Sequence, residues 1–510
     1  MKTVDFETLM TKVNLESKPL PGYVSFQKKD SGIYGIWFKD YHASDKDGST
    51  RYHPVYLGKT IDQEKAIFFR PSIGRFSFDV KKGFVKLGYP GSVPATDGPA
   101  YPVSRALHFG DIWMIDQVYK RSGLDKVMET LVPDEADTLK SLVAFRLIKN
   151  EAYYLVKDWY ERSFACVLYP KADFESARIS EFHSILGREE NYTKFFNTYL
   201  DIVINKDKFS NNISIPILID SFGLENSIKN YLTDVNNHNR DISNEIRLIY
   251  VIDKDTKMPI YFRAVSGNII DSSTLINTIN NLKAHNINVN HVIMDAGYPS
   301  INNLEQLMQN NIPFITRMPS NRKEYKDLMQ KHGNNLISGV NSTAYGERAI
   351  YVIKDTINLG NSELYAYVML DLEQYYKEVR EAALKYKDDA DKSIKIDKVE
   401  RKAGRFILLS TKDHNCDEIL PIYYTKQFIE QFFDILKTDV GVLPLRGHSE
   451  KTIRGLLLIA FISSAVYTYL EKELTGLKFS AHLALIKMGN AIIKIYSDTE
   501  LLEELTKDQK

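Results

Sequence analysis

The chain has 510 residues, and its 66 Lys and Arg balance 66 Asp and Glu, so the formal net charge is zero. At roughly 150 residues per domain this length suggests about three folded domains. A composition of 44% hydrophobic and 26% charged residues excludes a disordered, collagen-like or coiled-coil chain. Two cysteines, 166 and 416, exclude a disulfide framework and a cysteine metal site. Zero net charge leaves a nucleic-acid partner open, but it requires any DNA-binding surface to be local.

Residues 1–100 are predicted to form a β-rich N-terminal region. Apolar and aromatic runs at 33–38 and 52–57 are separated by the turn sequence at 45–48. Basic residues are interleaved with these aromatics, which suits a DNA surface and equally suits a solvated β-domain. They are Lys28, Lys29, Lys39, Arg51, Lys59, Arg70, Arg75, Lys81 and Lys82.

Residues 101–205 are predicted to be helical, because apolar residues recur there with the 3.6-residue period of an amphipathic helix. We interpret this region as a DNA-end-binding or linking domain. Farther on, the uncharged apolar stretch 455–470 is 16 residues long. A bilayer span needs about 20 residues, so a buried helix is expected there. Acidic residues near the start of the sequence argue against a signal peptide, and a cytoplasmic protein is expected.

Residues 206–320 show the most regular alternation of strand and helix signals, in the order β-β-β-α-β-α-β. The second and third strands are predicted to form a hairpin across the turn at 253–257. The predicted strands are 215–219, 246–252, 260–265, 290–294 and 313–317, and the predicted helices are 272–285 and 300–310. This order matches a ribonuclease-H-like mixed sheet, in which the first and fourth strands are adjacent and parallel. Asp220 and Asp295 follow those two strands, so their carboxylates are predicted to lie close together.

The remaining chain is predicted to complete an α/β catalytic core around an insertion. Residues 321–402 turn polar and are interpreted as an insertion subdomain of mixed strand and helix. The core is expected to resume over 403–475, with a helix at 425–437 and another at 450–470. Residues 476–510 are interpreted as a C-terminal tail segment.

Several common catalytic motifs are missing from the sequence. It contains no Gly-rich phosphate loop of the Walker type and no G-x-G-x-x-G, C-x-x-C, H-E-x-x-H or G-x-S-x-G motif. Nucleotide-driven, zinc-hydrolytic and serine-esterase functions therefore lose their usual support.

One predicted helix carries a stripe of polar groups opposite an apolar face. At 100° per residue, Tyr423, Lys426, Glu430 and Lys437 fall within a stripe about 60° wide. The opposite arc is apolar and can pack on a sheet. Two readings stay open, because Lys426 and Glu430 at this spacing also form an ordinary surface pair. Asp434 lies close enough to the stripe to compete with Glu430 as a metal ligand.

Two hard cations require oxygen ligands. Two aspartates on adjacent strands, together with a glutamate on a following helix, can supply them. Mg²⁺ prefers oxygen ligands and takes one or two carboxylates besides water and phosphate. Two such ions about 4 Å apart activate an attacking oxygen and stabilise a leaving oxygen in phosphoryl transfer.

At these residues the sequence resembles the insertion-sequence transposases of the Asp-Asp-Glu class, in the branch with the signature Tyr-x2-Arg-x3-Glu-x6-Lys. Tyr423, Lys426, Glu430 and Lys437 meet that spacing, with Lys in the Arg position. Relatives carry Thr or Ser where this chain has Phe222. The stretch 292–298 around Asp295 resembles the second motif, and 267–271 resembles a Gly-Asn-x-x-Asp stretch, whose Asp271 is predicted to cap the next helix. The resemblance covers most of residues 30–475.

The resemblance implies metal-dependent cut-and-paste transposition. Asp220, Asp295 and Glu430 would hold two Mg²⁺ ions, with Mn²⁺ as an alternative. Lys426 and Lys437 would contact phosphates beside the cut, and Tyr423 would pack on the same strand or hydrogen-bond to it. A second basic group follows the glutamate helix and is expected to contact flanking or target DNA, or else only solvent at a helix start: Arg446, His448, Lys451 and Arg454.

The implied partner is double-stranded DNA, both the terminal inverted repeats of an element and its target. A homodimer is expected in the synaptic complex, no membrane association is expected, and the protein would lie on the nucleoid when bound to DNA. Two alternatives stay open. One is a transposase-derived protein that binds DNA without cutting it. The other is a ribonuclease-H-like nuclease, such as a junction resolvase, that cuts without joining.

Overall fold

The computed structural model describes residues 22–29, 32–43, 50–70, 74–80, 83–88, 105–204, 213–226, 228, 232–235, 244–360, 362–441, 447–495 and 500–502. The chain divides into two compact units. The first comprises Met1–Leu107 with Ala491–Asp508, and the second comprises His108–Asn490. The predicted domain boundaries within the second unit stay predictions.

The first unit is built from antiparallel strands. Six of them follow one another in one sheet: β1 (Tyr23–Lys29), β2 (Gly32–Ala43), β3 (Thr50–Asp62), β4 (Ile67–Arg70), β5 (Gly74–Asp79) and β6 (Gly83–Gly88). Alternate aromatic and aliphatic side chains bury one face, among them Trp37, Leu57 and Phe68. A smaller sheet joins β7 (Arg105–His108), β18 (Ile492–Ile495) and β19 (Glu500–Leu502).

The second unit begins with a helical layer. Its helices are α1 (Gly110–Ser122), α2 (Leu124–Leu131), α3 (Ala136–Lys149), α4 (Val156–Arg162), α5 (Ala165–Leu168), α6 (Ser176–Leu186) and α7 (Glu189–Tyr199). Helices α1, α3 and α6 pack on the long helix α15 (Glu450–Glu473), and aromatic residues of α7 contact Phe461 of that helix. A Cβ on Gly455 would lie 1.9 Å from the His183 carbonyl oxygen, so α15 can approach α6 this closely only with glycine at that position.

Helix α15 contains the apolar stretch 455–470. It is long and apolar enough to cross a membrane, but 78% of its most apolar window is buried inside the protein. The buried helix predicted from the sequence is therefore observed.

The second unit also holds a mixed sheet, ten-stranded in the described part of the chain. Its first strands are β8 (Ile213–Glu225), β9 (Asp234–Val235), β10 (Asn244–Asp253), β11 (Pro259–Ser266), β12 (Ile287–Met294) and β13 (Phe314–Arg317). Strand β10 pairs antiparallel with β8 and β11, and β12 pairs parallel with β8 and β13. The predicted hairpin and the predicted parallel neighbours are both confirmed.

The register of this sheet aligns the two aspartates, although one strand is longer than predicted. Ile219 pairs with Met294, so Asp220 and Asp295 both lie one residue beyond the parallel ladder. The prediction that the first strand ends at Asp220 was wrong. Strand β8 continues to Glu225 because β10 still pairs with it there, with Asp220 opposite Tyr250.

Two helices follow the strands of the sheet, α8 (Leu275–Ala284) and α9 (Ile301–Gln309). The Ser300 side chain accepts a hydrogen bond from the Asn303 backbone N–H and so caps α9. The prediction that the Asp271 side chain caps α8 was wrong. A 3₁₀ turn at Asp271–Ser273 leads into α8, whose N-cap is Thr274 and lacks a side-chain cap bond.

The insertion contributes strands to the same sheet. It contains α10 (Lys323–His332), β14 (Ser342–Tyr345), β15 (Arg348–Leu359), β16 (Ser362–Asp371), α11 (Leu372–Lys385) and α12 (Lys392–Glu400). Strand β17 (Arg405–Ser410) then pairs with β16 on one side and β13 on the other. The insertion is therefore mixed strand and helix as predicted, and its strands extend the central sheet through β17.

The predicted glutamate helix is divided. Helix α13 (Ile419–Tyr424) ends before a turn at residues 425 and 426, and α14 (Gln427–Thr438) starts after it. At the turn the bonds become i→i+3, as from Phe428 N–H to the Thr425 carbonyl, and the Thr425 hydroxyl donates to the Ile422 carbonyl at 2.7 Å. The continuous helix assumed from the sequence was therefore wrong. Helix α16 (Ala481–Gly489) completes the second unit.

Candidate active site

Four of the residues selected from the sequence converge at the end of the β8–β12 ladder. The Lys426 Nζ lies 4.0 Å from Asp220 Oδ2 and 3.4 Å from Asp295 Oδ2. The same nitrogen lies 2.8 Å from Glu430 Oε1. The turn between α13 and α14 places Lys426 there, one helical turn before Glu430. One ammonium group thus stands between three carboxylates that are far apart in the sequence.

Burial and the neighbouring charges shift the pKa values of this cluster in opposite directions. Burial raises the pKa of Asp220 to about 7, although the ammonium of Lys426 opposes that rise. Burial also disfavours the charged form of Lys426, but Asp295, Asp220 and Glu430 outweigh it and raise the lysine pKa. Lys426 is consequently a permanent cation at neutral pH.

Tyr423 joins the cluster from α13. Its hydroxyl lies 3.4 Å from Asp295 Oδ1, and the residue is only 6% exposed. Burial raises its pKa far above the ordinary range, so the hydroxyl stays protonated and can donate. The sequence placed Tyr423 on an outward stripe, whereas the structure buries it beside Asp295.

Lys437 lies farther along α14. Within the described part of the chain it forms no ion pair with the three carboxylates. Its Nζ lies 5.2 Å from the ring centroid of Phe222. That ring in turn packs against Phe433, with centroids 4.4 Å apart. The Phe222 ring therefore lies between Phe433 and the charged end of Lys437.

The carboxylate donors fit a divalent cation by their chemistry. In the described part of the chain, no three His, Cys, Asp or Glu side chains come close enough to form a metal site as they stand. The carboxylates of Asp220, Asp295 and Glu430 instead surround the ammonium of Lys426. This ammonium supplies the positive charge that a divalent cation would otherwise bring. Oxygen donors around a positive charge are the set that Mg²⁺ and Mn²⁺ prefer.

A buried ion pair beside Asp220 was missed by sequence reasoning. Arg247 Nε donates to Asp271 Oδ1 at 2.9 Å, and the Ser221 hydroxyl donates to the same oxygen at 2.5 Å. The signal was present in the sequence, because Arg247 is a charged residue within the otherwise apolar run 246–252.

A cavity of about 840 Å³ adjoins the carboxylates, since Ala296 and Tyr423 line it. Its other walls come from β13, the insertion and β17, and Tyr325 and Tyr424 add two further phenol rings. Acidic Asp371 and Glu378 are outnumbered by cationic side chains, which are Arg317, Lys326, Arg348, Arg401, Lys402 and Arg405. None of these cations was selected from the sequence, because strands and helices of the insertion bring them together only in three dimensions.

The second basic group lies at the start of α15. His448 and Lys451 are exposed, whereas Arg454 pairs with Glu189 and Glu450 at 2.7 Å each. Arg446 lies outside the described residues.

Among the N-terminal basic residues, Lys28, Lys29 and Lys59 are exposed. The side chains of the others, from Lys39 to Lys82, lie outside the described part of the structure.

Part of the chain is similar to a known protein family. The family model of the transposase DDE domain matches residues 236–465. That range includes Asp295 and Glu430 and starts after Asp220. No curated protein matches the chain. The similarity to a transposase DDE domain thus covers 230 of the 510 residues.

Two solved transposase complexes align with parts of this chain. A cryo-EM structure of the piggyBac transposase synaptic complex with hairpin DNA has 12% identity and a TM-score of 0.41, over 74% of this chain and 79% of that one. The Drosophila P element transposase strand transfer complex has 10% identity and a TM-score of 0.17, over 65% of this chain and 88% of that one.

Proposed function

We propose that this protein is an Asp-Asp-Glu transposase that cuts DNA at the ends of an insertion sequence and joins those ends to target DNA. The observation that carries the proposal is the convergence of Asp220, Asp295 and Glu430 on one cationic centre. The transposase DDE domain match over 236–465 supports it. The spacing of Tyr423, Lys426, Glu430 and Lys437 favours the branch with the Tyr-Arg-Glu-Lys signature, and the strand order favours a ribonuclease-H-like core.

Asp220, Asp295 and Glu430 would hold the divalent ions, Mg²⁺ or Mn²⁺. When bound, such ions activate the attacking oxygen and stabilise the leaving oxygen of a phosphodiester. In the first reaction a water oxygen bonds to phosphorus and the bond to the 3′-oxygen breaks, which leaves a 3′-hydroxyl. In the second reaction that hydroxyl attacks a target phosphodiester, and the displaced target 3′-oxygen leaves.

The chain's own residues would position the DNA for both reactions. The ammonium of Lys426 is attracted to a phosphate once its carboxylate partners are engaged, and Lys437 adds a second charge on the same helix. The Tyr423 hydroxyl is held as a donor beside Asp295. The excess of cations around the adjoining cavity supports a path for the DNA strand along the insertion.

The remaining assignments follow from this function. Residues 1–205 would recognise the element end, and the group Arg446, His448, Lys451 and Arg454 would contact flanking or target DNA. Cutting and joining of two ends implies a homodimer in the synaptic complex, acting on the nucleoid in the cytoplasm.

The decisive variant is Asp295→Asn. We expect it to abolish cutting of a labelled element end in Mg²⁺ while leaving DNA binding intact, since the amide keeps the shape but loses the charge that a cation requires. Asp434→Asn is the matched control, because Asp434 is an exposed acid on the same helix as Glu430 but, among the described residues, forms no ion pair with Lys426. Retained cutting by Asp295→Asn would contradict the site assignment.

The wild-type reaction separates the alternatives. Cutting followed by joining supports the transposase. Binding without cutting supports a transposase-derived DNA-binding protein, and cutting without joining supports a ribonuclease-H-like nuclease. The products are distinguished by their lengths on a denaturing gel.

A further inference from the structure

Asp271 contacts the chain directly after Asp220. Its Oδ1 accepts from the Ser221 hydroxyl at 2.5 Å and from Arg247 Nε at 2.9 Å. Its Oδ2 accepts from Arg247 Nη2 at 3.2 Å. Arg247 thus binds the carboxylate with two nitrogens, a geometry that fixes its orientation.

The ion pair is buried, and neighbouring glycines make room for it. The side chains of Arg247 and Asp271 are only 9% and 13% exposed. Glu245 lies on the other side of the guanidinium, at 3.5 Å, and is 6% exposed. A Cβ on Gly223 would lie 1.9 Å from Glu245 Oε2, so the strand that carries Asp220 has no side chain at that point. Removing one partner would leave a buried charge uncompensated.

Asp271 also lies against the chain directly after Asp295. A Cβ on Gly297 would approach Asp271 Oδ2 to 2.9 Å, which is closer than real Cβ contacts. Gly297 therefore lets the loop that follows Asp295 rest on this carboxylate. One side chain consequently touches the segment after each of the two aspartates.

We propose that Asp271, oriented by Arg247, is a positioning residue that fixes Asp220 and Asp295 relative to each other through Ser221 and Gly297. It holds no cation itself, because both of its oxygens are engaged by Arg247 and Ser221. This inference rests on the proposed function, since it concerns how the divalent site is held. Residues that orient metal ligands change metal affinity by about 10–100-fold when they are replaced.

Mn²⁺ binding to the full-length protein, followed by calorimetry, tests the inference without DNA or turnover. We expect Asp271→Asn to weaken Mn²⁺ binding by about tenfold or more. We expect Ser221→Ala to weaken it by several-fold, because that change removes the link to β8 but leaves the Arg247 pair intact. Hydrogen exchange of the backbone around residues 219–223 should become faster in both variants.

The matched control is Asp253→Asn at the opposite end of β10. Asp253 is 2% exposed and accepts hydrogen bonds from the Asp255 N–H and the Thr256 hydroxyl, so it is more deeply buried than Asp271 and also hydrogen-bonded. Asp253→Asn should leave Mn²⁺ affinity unchanged. An equal loss in this control would overturn the inference, because general loosening of the sheet would then explain the effect.

The outcomes distinguish the two proposals. If the wild type binds no Mn²⁺, or Asp220→Asn binds it as well as the wild type, the proposed divalent site fails and the positioning role fails with it. If the wild type binds Mn²⁺ and folded Asp271→Asn and Ser221→Ala bind it equally well, only the positioning role is overturned. Should Asp271→Asn not fold, Ser221→Ala alone decides, because it keeps the ion pair.

Discussion

Lys426 is the residue on which the candidate site is centred. It is the position at which this chain departs from the arginine of the resembled signature. A lysine ammonium is a compact point charge, whereas a guanidinium is a planar fork that binds carboxylates and phosphates with two nitrogens. The point charge can lie within 4.0 Å of all three carboxylates at once. The substitution therefore keeps the charge and gives up two-point binding of a phosphate.

Lys426→Gln tests this arrangement. Removing the ammonium leaves three carboxylates repelling one another, so we expect the free energy of unfolding without divalent ions to fall by about 1–3 kcal/mol. Added Mn²⁺ should raise the melting temperature of the variant more than that of the wild type, because no ammonium competes with the ion. Thermal unfolding with and without Mn²⁺ measures both effects. Lys437→Gln, at an exposed position, is the control, and an identical response from it would contradict the central role of Lys426.

At the scale of elements, α14 reaches the sheet through aromatic contacts. Phe433 packs on Phe222 of β8, and Lys437 lies above the same ring. Phe428 lies on the more exposed side of α14, where Lys257 covers it at 3.8 Å from the ring centroid. Phe222 and Phe428 thus each lie against a lysine ammonium, but Phe222 is buried and Phe428 is partly exposed.

Phe222→Ala is expected to cost about 3–5 kcal/mol of stability, as other buried phenylalanines do. It should also weaken binding of an element end, because Lys437 loses the ring that supports it. Phe428→Ala is the matched control and should cost less stability and leave DNA affinity unchanged. Chemical denaturation and a DNA-binding titration measure the two properties. Unchanged DNA affinity in folded Phe222→Ala would contradict the supporting role.

The pairing of β8 with β12 could be predicted from the sequence. The apolar runs mark the strands, and few sheet arrangements accommodate strands and helices in that order. It could not predict the interruption before Gln427, because Thr425 and Lys426 have no strong helix-breaking tendency. It assigned Asp271 to a local cap because its true partner Arg247 lies 24 residues away. Contacts between distant segments depend on the folded sheet, and a local pattern does not contain them.

At the scale of the whole second unit, one buried histidine links the helical layer to α15. His183 is 4% exposed, and its ring lies 5.0 Å from that of Tyr153. Its Nε2 has no hydrogen-bond partner among the described residues. Burial, assisted by Arg146, lowers the pKa of His183 to about 4.

Acid should therefore destabilise this unit through His183. The unfolded pKa is near 6.5, so the neutral ring contributes full stability above that pH and loses it as pH falls through about 4. Across this window we expect the wild type to lose up to about 1.4 kcal/mol per pH unit more than His183→Gln does. Denaturation at pH 4 to 7 measures the slopes. His448→Gln, at an exposed position, should keep the wild-type slope, and the same slope in His183→Gln would contradict the assignment.

The insertion shares its hydrogen-bonded ladder with the core, since β16 joins β17, β17 joins β13, and β13 joins β12. Moving the cavity wall away from Asp295 would break rows of backbone hydrogen bonds, whereas a subdomain on a hinge would move freely. A nucleic acid bound there consequently meets a stiff surface. Under the proposed function, the bending or strand separation needed for cutting would then have to occur in the DNA, and we expect sites with easily deformed base steps at the cut to be preferred.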